Sequence, residues 1–341
     1  MAGLIPSRPV ACALLLVAGL CPACRTLEFY SQAVSGQVGV LAKRRPVEKV
    51  MAETNDAKLR TRLVLTQQLL DFARDELEMP SGGSYELYAD IGRDHLVWVV
   101  YAAPELSLEP RDWWYPVVGR QEYRGYFREE LARAEALRLE AQGDETWTQK
   151  VDAYSTLGWF RDPVLNTFVH RDETGYAELI FHELAHRKYY ARGHTSFNEG
   201  MAEAVAREGV RRWFRASGRP DMGRKYEKRL RRLGQARDAI EGAAERLDVI
   251  YQSRLGDEAK RERKRIEIDR LKGRLRELRG DWGGGLKSWI DDPINNARLN
   301  SFTTYETEVR RFVDLLDQCG GDLGEFWERV ADLEKQEWKD D

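Results

Sequence analysis

The segment AELIFHELAHRKYY, residues 177–190, decides how the rest of the chain is interpreted. It carries HELAH at residues 182–186, and its apolar side chains recur at the spacing of an amphipathic helix. Residues four apart share one face of a helix, so two imidazoles at this spacing can direct ring nitrogens at one cation, about 2.0–2.1 Å from a zinc ion. The pattern therefore predicts that His182 and His186 bind Zn2+.

Glu183 lies beside this predicted metal without being needed as a ligand. A carboxylate in that position can accept a proton from a zinc-bound water and pass it to a leaving amine. The pattern is informative because two of only five histidines in the chain stand at this spacing. It indicates a zinc-dependent peptidase with Glu183 as the general base. The alternative is a helix surface that carries these three side chains without binding a metal.

A catalytic zinc site needs a third protein ligand and an open fourth position. The next helical pattern begins at NEGMAE, residues 198–203, after a loop with Gly193 that lets the chain reverse. Two helices that face each other in this way place Glu199 near the metal. Glu199, thirteen residues after His186, is therefore the predicted third ligand.

Two alternatives stay open at the start of this second helix. If Ser196 caps the helix, Glu199 folds back onto the backbone as the other half of a capping box. In that case His194, in the preceding loop, becomes the candidate ligand. Glu203, one turn after Glu199, can accept the free ring N–H of a zinc-bound histidine, and we expect it to orient that ring.

The composition fits a folded body with a balanced surface charge. The chain has 341 residues, of which 42% are hydrophobic, enough for one large domain or two small ones. Lys and Arg number 54 against 57 Asp and Glu. This balance gives no support to a nucleic-acid partner.

The N-terminus differs from the rest of the chain. The apolar run from Val10 to Leu20 is too short to span a bilayer but is typical of a signal peptide. Cys21 and Cys24 follow it, and either is a candidate for acylation as in bacterial lipoproteins. The alternative is simple cleavage and release into the periplasm, since a single acyl chain anchors a protein only reversibly. Both interpretations place the protein in the bacterial cell envelope.

The remaining patterns predict an α+β fold that is predominantly helical. Residues 31–45 form a polar stretch without an assigned element, and a helix follows that is opened by Asn55 or Asp56 as cap and closed before Pro80. The β-branched and aromatic run from Leu96 to Tyr101 predicts a buried strand of a small sheet. Apolar spacing on both sides of Gly256-Asp257 predicts a long helical hairpin at about 220–281, inserted in one catalytic domain. Its alternating charges are more typical of a solvated face than of a binding arm.

The site residues resemble those of the gluzincin metallopeptidases, in which a glutamate on a second helix follows His-Glu-x-x-His. The whole chain is similar to a family of predicted aminopeptidases among bacterial lipoproteins, from Cys24 nearly to the end. The similarity is carried by YSQAVSGQ, YSTLGWFRDPVL, FHELAHRKYY, FNEGMAEAVAREGVRRW and NNARLNSFTTYE. The resemblance implies a zincin-like helix pair, a zinc-dependent aminopeptidase, and Cys24 as the lipid-bearing residue. Residues 1–23 are then the signal peptide and 24–341 the metallopeptidase domain.

The resemblance also implies a donor for the oxyanion, because gluzincins use a Tyr or His together with the metal. Such a donor accelerates the reaction by orders of magnitude. Tyr305, in the family-like FTTYE stretch, is the first candidate. Tyr154, Tyr189 and Tyr190 are alternatives, and each also fits a packed aromatic side chain.

The expected partners are a peptide or protein substrate and, through the lipid anchor, the membrane on its periplasmic side. An aminopeptidase needs a carboxylate for the free amine, and Glu173, Glu178 and Glu203 are candidates. Residues 154–160 predict either an edge strand that pairs with the peptide or an ordinary turn. The alternative function is a non-catalytic envelope lipoprotein with a structural zinc and a partner-binding hairpin. A fourth protein ligand would distinguish a structural site.

Overall fold

The computed structural model describes residues 22–115, 119–153, 156, 160–303 and 306–337. Most of these residues are helical, and the strands form small sheets, so the expected α+β class is confirmed. The helices are α1 (Pro22–Ala42), α2 (Val47–Glu53), α3 (Ala57–Glu76), α4 (Glu129–Glu140), α5 (Glu173–Lys188), α6 (Thr195–Ala216), α7 (Pro220–Gln252), α8 (Asp257–Trp282), α9 (Lys287–Asp291), α10 (Asn296–Thr303), α11 (Glu306–Gln318) and α12 (Leu323–Glu337). The strands are β1 (Arg45–Pro46), β2 (Leu87–Ala89), β3 (Val97–Pro104), β4 (Trp113–Tyr115), β5 (Gly119–Gln121), β6 (Tyr123–Tyr126), β7 (Asp144–Val151) and β8 (Val164–Leu165).

The main sheet has the order β6-β3-β7, and both pairs are antiparallel. β3 is the buried strand that the apolar run predicted. Successive side chains of a strand point to opposite faces. Trp98, Val100 and Ala102 pack with α1 and α4, whereas Val97 and Val99 enter the main core. The remaining strands form the sheet β1-β2-β8 and the β4-β5 pair.

Helices α5 and α6 pack along each other at the centre of the main core. Ile180 and Phe181 of α5 are fully buried there. A Cβ built at Gly209 of α6 would lie 2.7 Å from the Phe181 ring, so only a glycine permits this approach. The two helices are therefore held closer than ordinary side chains allow.

The predicted helical hairpin is present as α7 and α8, which pack against each other around a second core that residues of α9 and α10 also enter. Leu247, Leu271 and Leu275 lie at its centre. Ion pairs one helical turn apart cover its outer faces, as on Arg265 with Glu262 and Asp269. The alternating charges thus form a solvated face along these helices.

The stretch 31–45 is the element that the sequence pattern missed. The structure has a helix, α1, from Pro22 to Ala42, and it packs on the main sheet. The polar side chains at 31, 32 and 35 hid its periodicity, because Gln32 points inward and hydrogen-bonds buried backbone. In the described part of the chain, no helix is long and apolar enough to cross a membrane.

Candidate metal centre

Helices α5 and α6 bring three predicted metal-ligating side chains to one point. The Nε2 atoms of His182 and His186 are 3.1 Å apart. Glu199 Oε2 lies 3.3 Å from His182 Nε2, and Glu199 Oε1 lies 3.5 Å from His186 Nε2. The structure thus places His182, His186 and Glu199 as a group that could hold one metal ion.

The separations between these donor atoms fit a small divalent cation. Ligands held tetrahedrally at about 2.0–2.1 Å from zinc lie roughly 3.3–3.4 Å from one another. The two imidazole nitrogens are 3.1 Å apart, and each lies 3.3–3.5 Å from a different oxygen of Glu199, so the group is compact enough for one cation. Two imidazole nitrogens and one carboxylate are also a donor set that zinc accepts with an open fourth position. No fourth His, Cys, Asp or Glu of the described residues joins the group.

The loop between the two helices is fixed by a buried asparagine. Asn198 donates from Nδ2 to the carbonyl of Ala191 at 2.7 Å and accepts the Ala191 N–H at its Oδ1 at 2.8 Å. Gly193 permits the reversal with a φ of +85°, in the left-handed region that favours glycine. Because Asn198 immediately precedes Glu199, these two hydrogen bonds fix the position of the backbone from which the Glu199 side chain extends. The sequence pattern did not reveal this role.

The capping-box alternative for Glu199 is not observed. Helix α6 begins at Thr195, and its N-cap is His194, whose side chain makes no cap hydrogen bond. Ser196 therefore lies inside the first turn, and the Glu199 carboxylate faces the two imidazoles. His194 is outside the ligand group and lines a separate surface cavity of about 490 Å3.

Glu183 is buried beside the ligands, with 7% of the residue exposed. Its Oε2 atom has no hydrogen-bond partner among the described residues. Burial raises the pKa of Glu183, and the imidazoles of His182 and His186 offset part of that rise. A buried, unpartnered carboxyl oxygen is costly to maintain, which is characteristic of a functional group.

The ligand group stabilises positive charge at its centre. Burial disfavours a charged imidazole, yet contacts with Glu199 and Glu203 raise the pKa of His182 well above 6.5. Burial also disfavours a charged carboxylate, yet the two imidazoles hold the pKa of Glu199 well below its usual value. A site with this electrostatic preference suits a divalent cation.

Glu203 lies behind His182, on the side away from Glu199. Its Oε2 is 3.8 Å from His182 Nδ1, and its Oε1 accepts a hydrogen bond from Arg207 Nε at 2.9 Å. Burial raises the pKa of Glu203, but His182 and Arg207 bring it to about 2. The carboxylate therefore stays ionised next to Nδ1, as expected for a group that orients the ring.

The predicted tyrosine donors have different outcomes. Tyr305 and Tyr154 lie outside the described residues, so their role stays a prediction. Tyr189 donates its hydroxyl to Glu334. Tyr190 lies near the ligands, with its ring centroid 6.4 Å from that of His186.

Two further tyrosines approach the site from the main sheet. Tyr101 of β3 and Tyr123 of β6 are register partners with ring centroids 5.7 Å apart. Burial raises the pKa of both hydroxyls, and the charge of Glu199 adds to the rise. The sequence pattern missed them, because only strand pairing brings these residues opposite α6.

Two of the candidate amine-binding carboxylates are occupied elsewhere. Glu173 accepts hydrogen bonds from Arg219 at 2.7 and 2.6 Å and from Trp213 at 2.9 Å. Glu178 accepts from Tyr226 and Arg229, each at 2.7 Å. These carboxylates connect α5 to α7 and to the end of α6. Most of residues 154–160 lie outside the described residues, so the edge-strand alternative stays a prediction.

Comparison with known proteins identifies one family. A sequence-family profile described as "Putative aminopeptidase" matches residues 28–340. No curated protein matches the chain, and no solved structure matches it. The zincin-like character expected of the helix pair therefore stays a prediction.

Proposed function

Since the chain belongs to this aminopeptidase family, we propose that it is a zinc-dependent peptidase of the bacterial cell envelope, acting as an aminopeptidase. The observation that carries the proposal is the meeting of His182, His186 and Glu199 within 3.1–3.5 Å of one another beside the buried Glu183. Two buried polar atoms of this group, Glu183 Oε2 and His186 Nδ1, have no partner among the described residues, which supports a functional role.

His182, His186 and Glu199 would hold the metal ion. When bound, zinc supplies Lewis acidity, which acidifies water and polarises a carbonyl oxygen. The remaining work belongs to side chains of this chain. Arg207 keeps Glu203 ionised. Glu203 in turn orients the ring of His182, so that the Nε2 atom of His182 can bind the metal.

Glu183 is the proposed general base. Its Oε2 takes a proton from the attacking water and delivers it to the amine that leaves. Burial moves the pKa of Glu183 upward, towards the working pH, which favours both acceptance and return of the proton. The low solvent exposure also keeps bulk water from competing for that oxygen.

The location at the cell envelope rests on the N-terminus. The apolar run from Val10 to Leu20 and the cysteine at 24 support export and acylation, with residues 1–23 removed. Cys24 lies in the first turn of α1, so the lipid would be attached directly to a helix of the folded body.

The proposal is tested by measuring bound metal and peptide cleavage together. We expect the mature chain to carry one zinc ion by elemental analysis and to cleave a mixed peptide library. Glu183→Gln should retain the metal and lose about 10²–10⁴-fold in turnover, the usual contribution of a general base. Glu199→Gln should lose the metal. Release of single N-terminal residues from the library would identify an aminopeptidase.

Glu208→Gln, on the same helix as Glu199, is the matched control and should change neither quantity. A wild-type chain without zinc, or a Glu183→Gln variant as active as wild type, would contradict the proposal. In that case a non-catalytic lipoprotein becomes the better account.

A further inference from the structure

Helix α1 has one face that packs on the protein. Phe29 stacks its ring near Tyr126, with centroids 5.5 Å apart, and Gln32 accepts the Phe127 N–H at 2.8 Å. Gly36 lies so close to the Phe127 ring that a Cβ would be 2.1 Å from it. Val40 completes this face in the main core. The four residues recur at spacings of three and four, as expected for one side of a helix.

The opposite face of α1 is apolar and exposed. Leu27 is 72% exposed, Val34 62%, Val38 56% and Tyr30 36%. Each of these four lies two residues before a member of the packed face, which turns it to the other side of the helix. They include four of the ten large hydrophobic side chains that are exposed among the described residues. This outer face of α1 is therefore a continuous apolar stripe.

Few charged residues accompany the stripe, so little favours its exposure to water. Between Thr26 and Ala42, Glu28 is the only charged residue. Exposed helices elsewhere in the chain are different, since α8 alternates Lys, Arg and Glu along its length. A soluble helix normally turns its polar face outward, and a contiguous apolar stripe marks an interaction surface.

The position of α1 in the chain indicates what covers the stripe. The helix begins at Pro22, two residues after the apolar run ends at Leu20, and carries Cys24 in its first turn. The stripe thus starts beside the proposed lipid attachment and continues along the same helix. A lipid attached at this end holds the start of the helix at the membrane, so the bilayer is the nearest apolar phase that can cover the stripe.

We infer that the outer face of α1, formed by Leu27, Tyr30, Val34 and Val38, lies on the lipid surface next to the anchor. The inference rests on the envelope location proposed above and not on peptidase activity. The apolar side chains enter the boundary between headgroups and acyl chains, and the helix axis lies parallel to the membrane. Tyr30 suits this depth because its ring is apolar and its hydroxyl is polar.

The experiment measures vesicle binding without the lipid anchor. The chain from Arg25 onward, which lacks the acylated cysteine, is sedimented with vesicles of phosphatidylethanolamine and phosphatidylglycerol. We expect the wild type to bind, and the double variant Val34→Asp with Val38→Asp to bind about tenfold more weakly or not at all. Val249→Asp is the control, because Val249 is an exposed valine, at 71% against 62% and 56% for Val34 and Val38, but lies on α7. Its binding should equal that of wild type.

Three results would overturn the inference: absence of wild-type binding, equal binding by the α1 variant, or an equal loss in Val249→Asp. A wild-type dimer in light scattering that the α1 variant converts to monomer would instead assign the stripe to a second copy. Because both substituted positions face solvent, unfolding temperature and peptide hydrolysis in solution should stay unchanged in all variants. A chain that binds vesicles but cleaves no peptide would refute only the proposed peptidase.

Discussion

Two antiparallel helix pairs of this molecule differ in whether their buried polar groups have partners. In the α7–α8 hairpin, the buried Glu267 is paired with Arg246 and Arg270, and the buried Lys264 with Glu145. In the α5–α6 pair, Glu183 Oε2 and His186 Nδ1 are buried without partners among the described residues. An unsatisfied buried group costs about 1–3 kcal/mol, so the α5–α6 pair carries a cost that the paired charges of the hairpin avoid, as expected if these atoms serve the proposed site.

The largest expected effect is a loss of stability from a substitution in the hairpin core, which tests whether the two helix pairs are independent. Leu275 is fully buried between α7 and α8, and Leu275→Ala should lower the free energy of unfolding by about 2–5 kcal/mol through lost contacts and a cavity. Denaturant unfolding measures this, and metal affinity should be unaffected. The exposed Leu137→Ala is the control and should change stability little. A matching loss of metal affinity in Leu275→Ala would show that the two helix pairs are not independent.

An intermediate effect is expected at Glu203, which lies behind the candidate metal centre. Glu203→Gln keeps the shape of the side chain but removes the charge beside His182, so zinc affinity should fall about 10–100-fold. Competition with a chelator measures this affinity. Glu208→Gln is closely matched, because Glu208 pairs with Arg212 one turn later as Glu203 does with Arg207. Equal affinities in the two variants would mean that Glu203 only pairs with Arg207 and does not act on the ring of His182.

The smallest effect is expected where the two regions are joined. Arg219 lowers the pKa of Glu173 from its ordinary value of 4.5, against the opposing effect of burial. A carboxylate with a lowered pKa contributes stability above its unfolded pKa and loses it as the pH falls through the folded value. Glu173→Gln should therefore cost about 0.5–1 kcal/mol at pH 7 and little in strong acid.

Unfolding by urea at neutral and at acidic pH measures the difference for Glu173→Gln. The control is Glu258→Gln, since Glu258 is almost fully exposed beside Arg261 and should contribute nothing measurable at either pH. A Glu173→Gln cost that does not shrink in acid would contradict the assigned ion pair.

The parts of the site that the sequence predicts are those set by local periodicity. His182, Glu183 and His186 follow from the period of one helix, and Glu199 from a second helix after a short reversal. Tyr101 and Tyr123 were not predictable, because their position depends on the pairing of β3 with β6, two strands that lie apart in the chain. The spacing of apolar residues along the sequence predicts local helices and strands, but it does not predict contacts between elements that are distant in the chain.

The same distinction explains the errors in the fold. The α7–α8 hairpin was predicted because its apolar spacing is uninterrupted over many turns. Helix α1 was missed because its apolar residues lie on both faces, and Gln32 stands within the packed face. A helix that contacts two environments has no single polar side, so the usual amphipathic signal is absent.

The close approach at Gly209 helps to set the distance between α5 and α6. Gly209 lies ten residues beyond Glu199, about 15 Å along the axis of α6, where an added Cβ would come within 2.7 Å of Phe181 and 2.9 Å of Leu77. A methyl group at that point would have to displace the Phe181 ring, and because Phe181 directly precedes His182, the displacement would reach the ligand group. The spacing of the predicted metal-ligating atoms thus depends in part on a residue outside the ligand group, and that residue has no side chain.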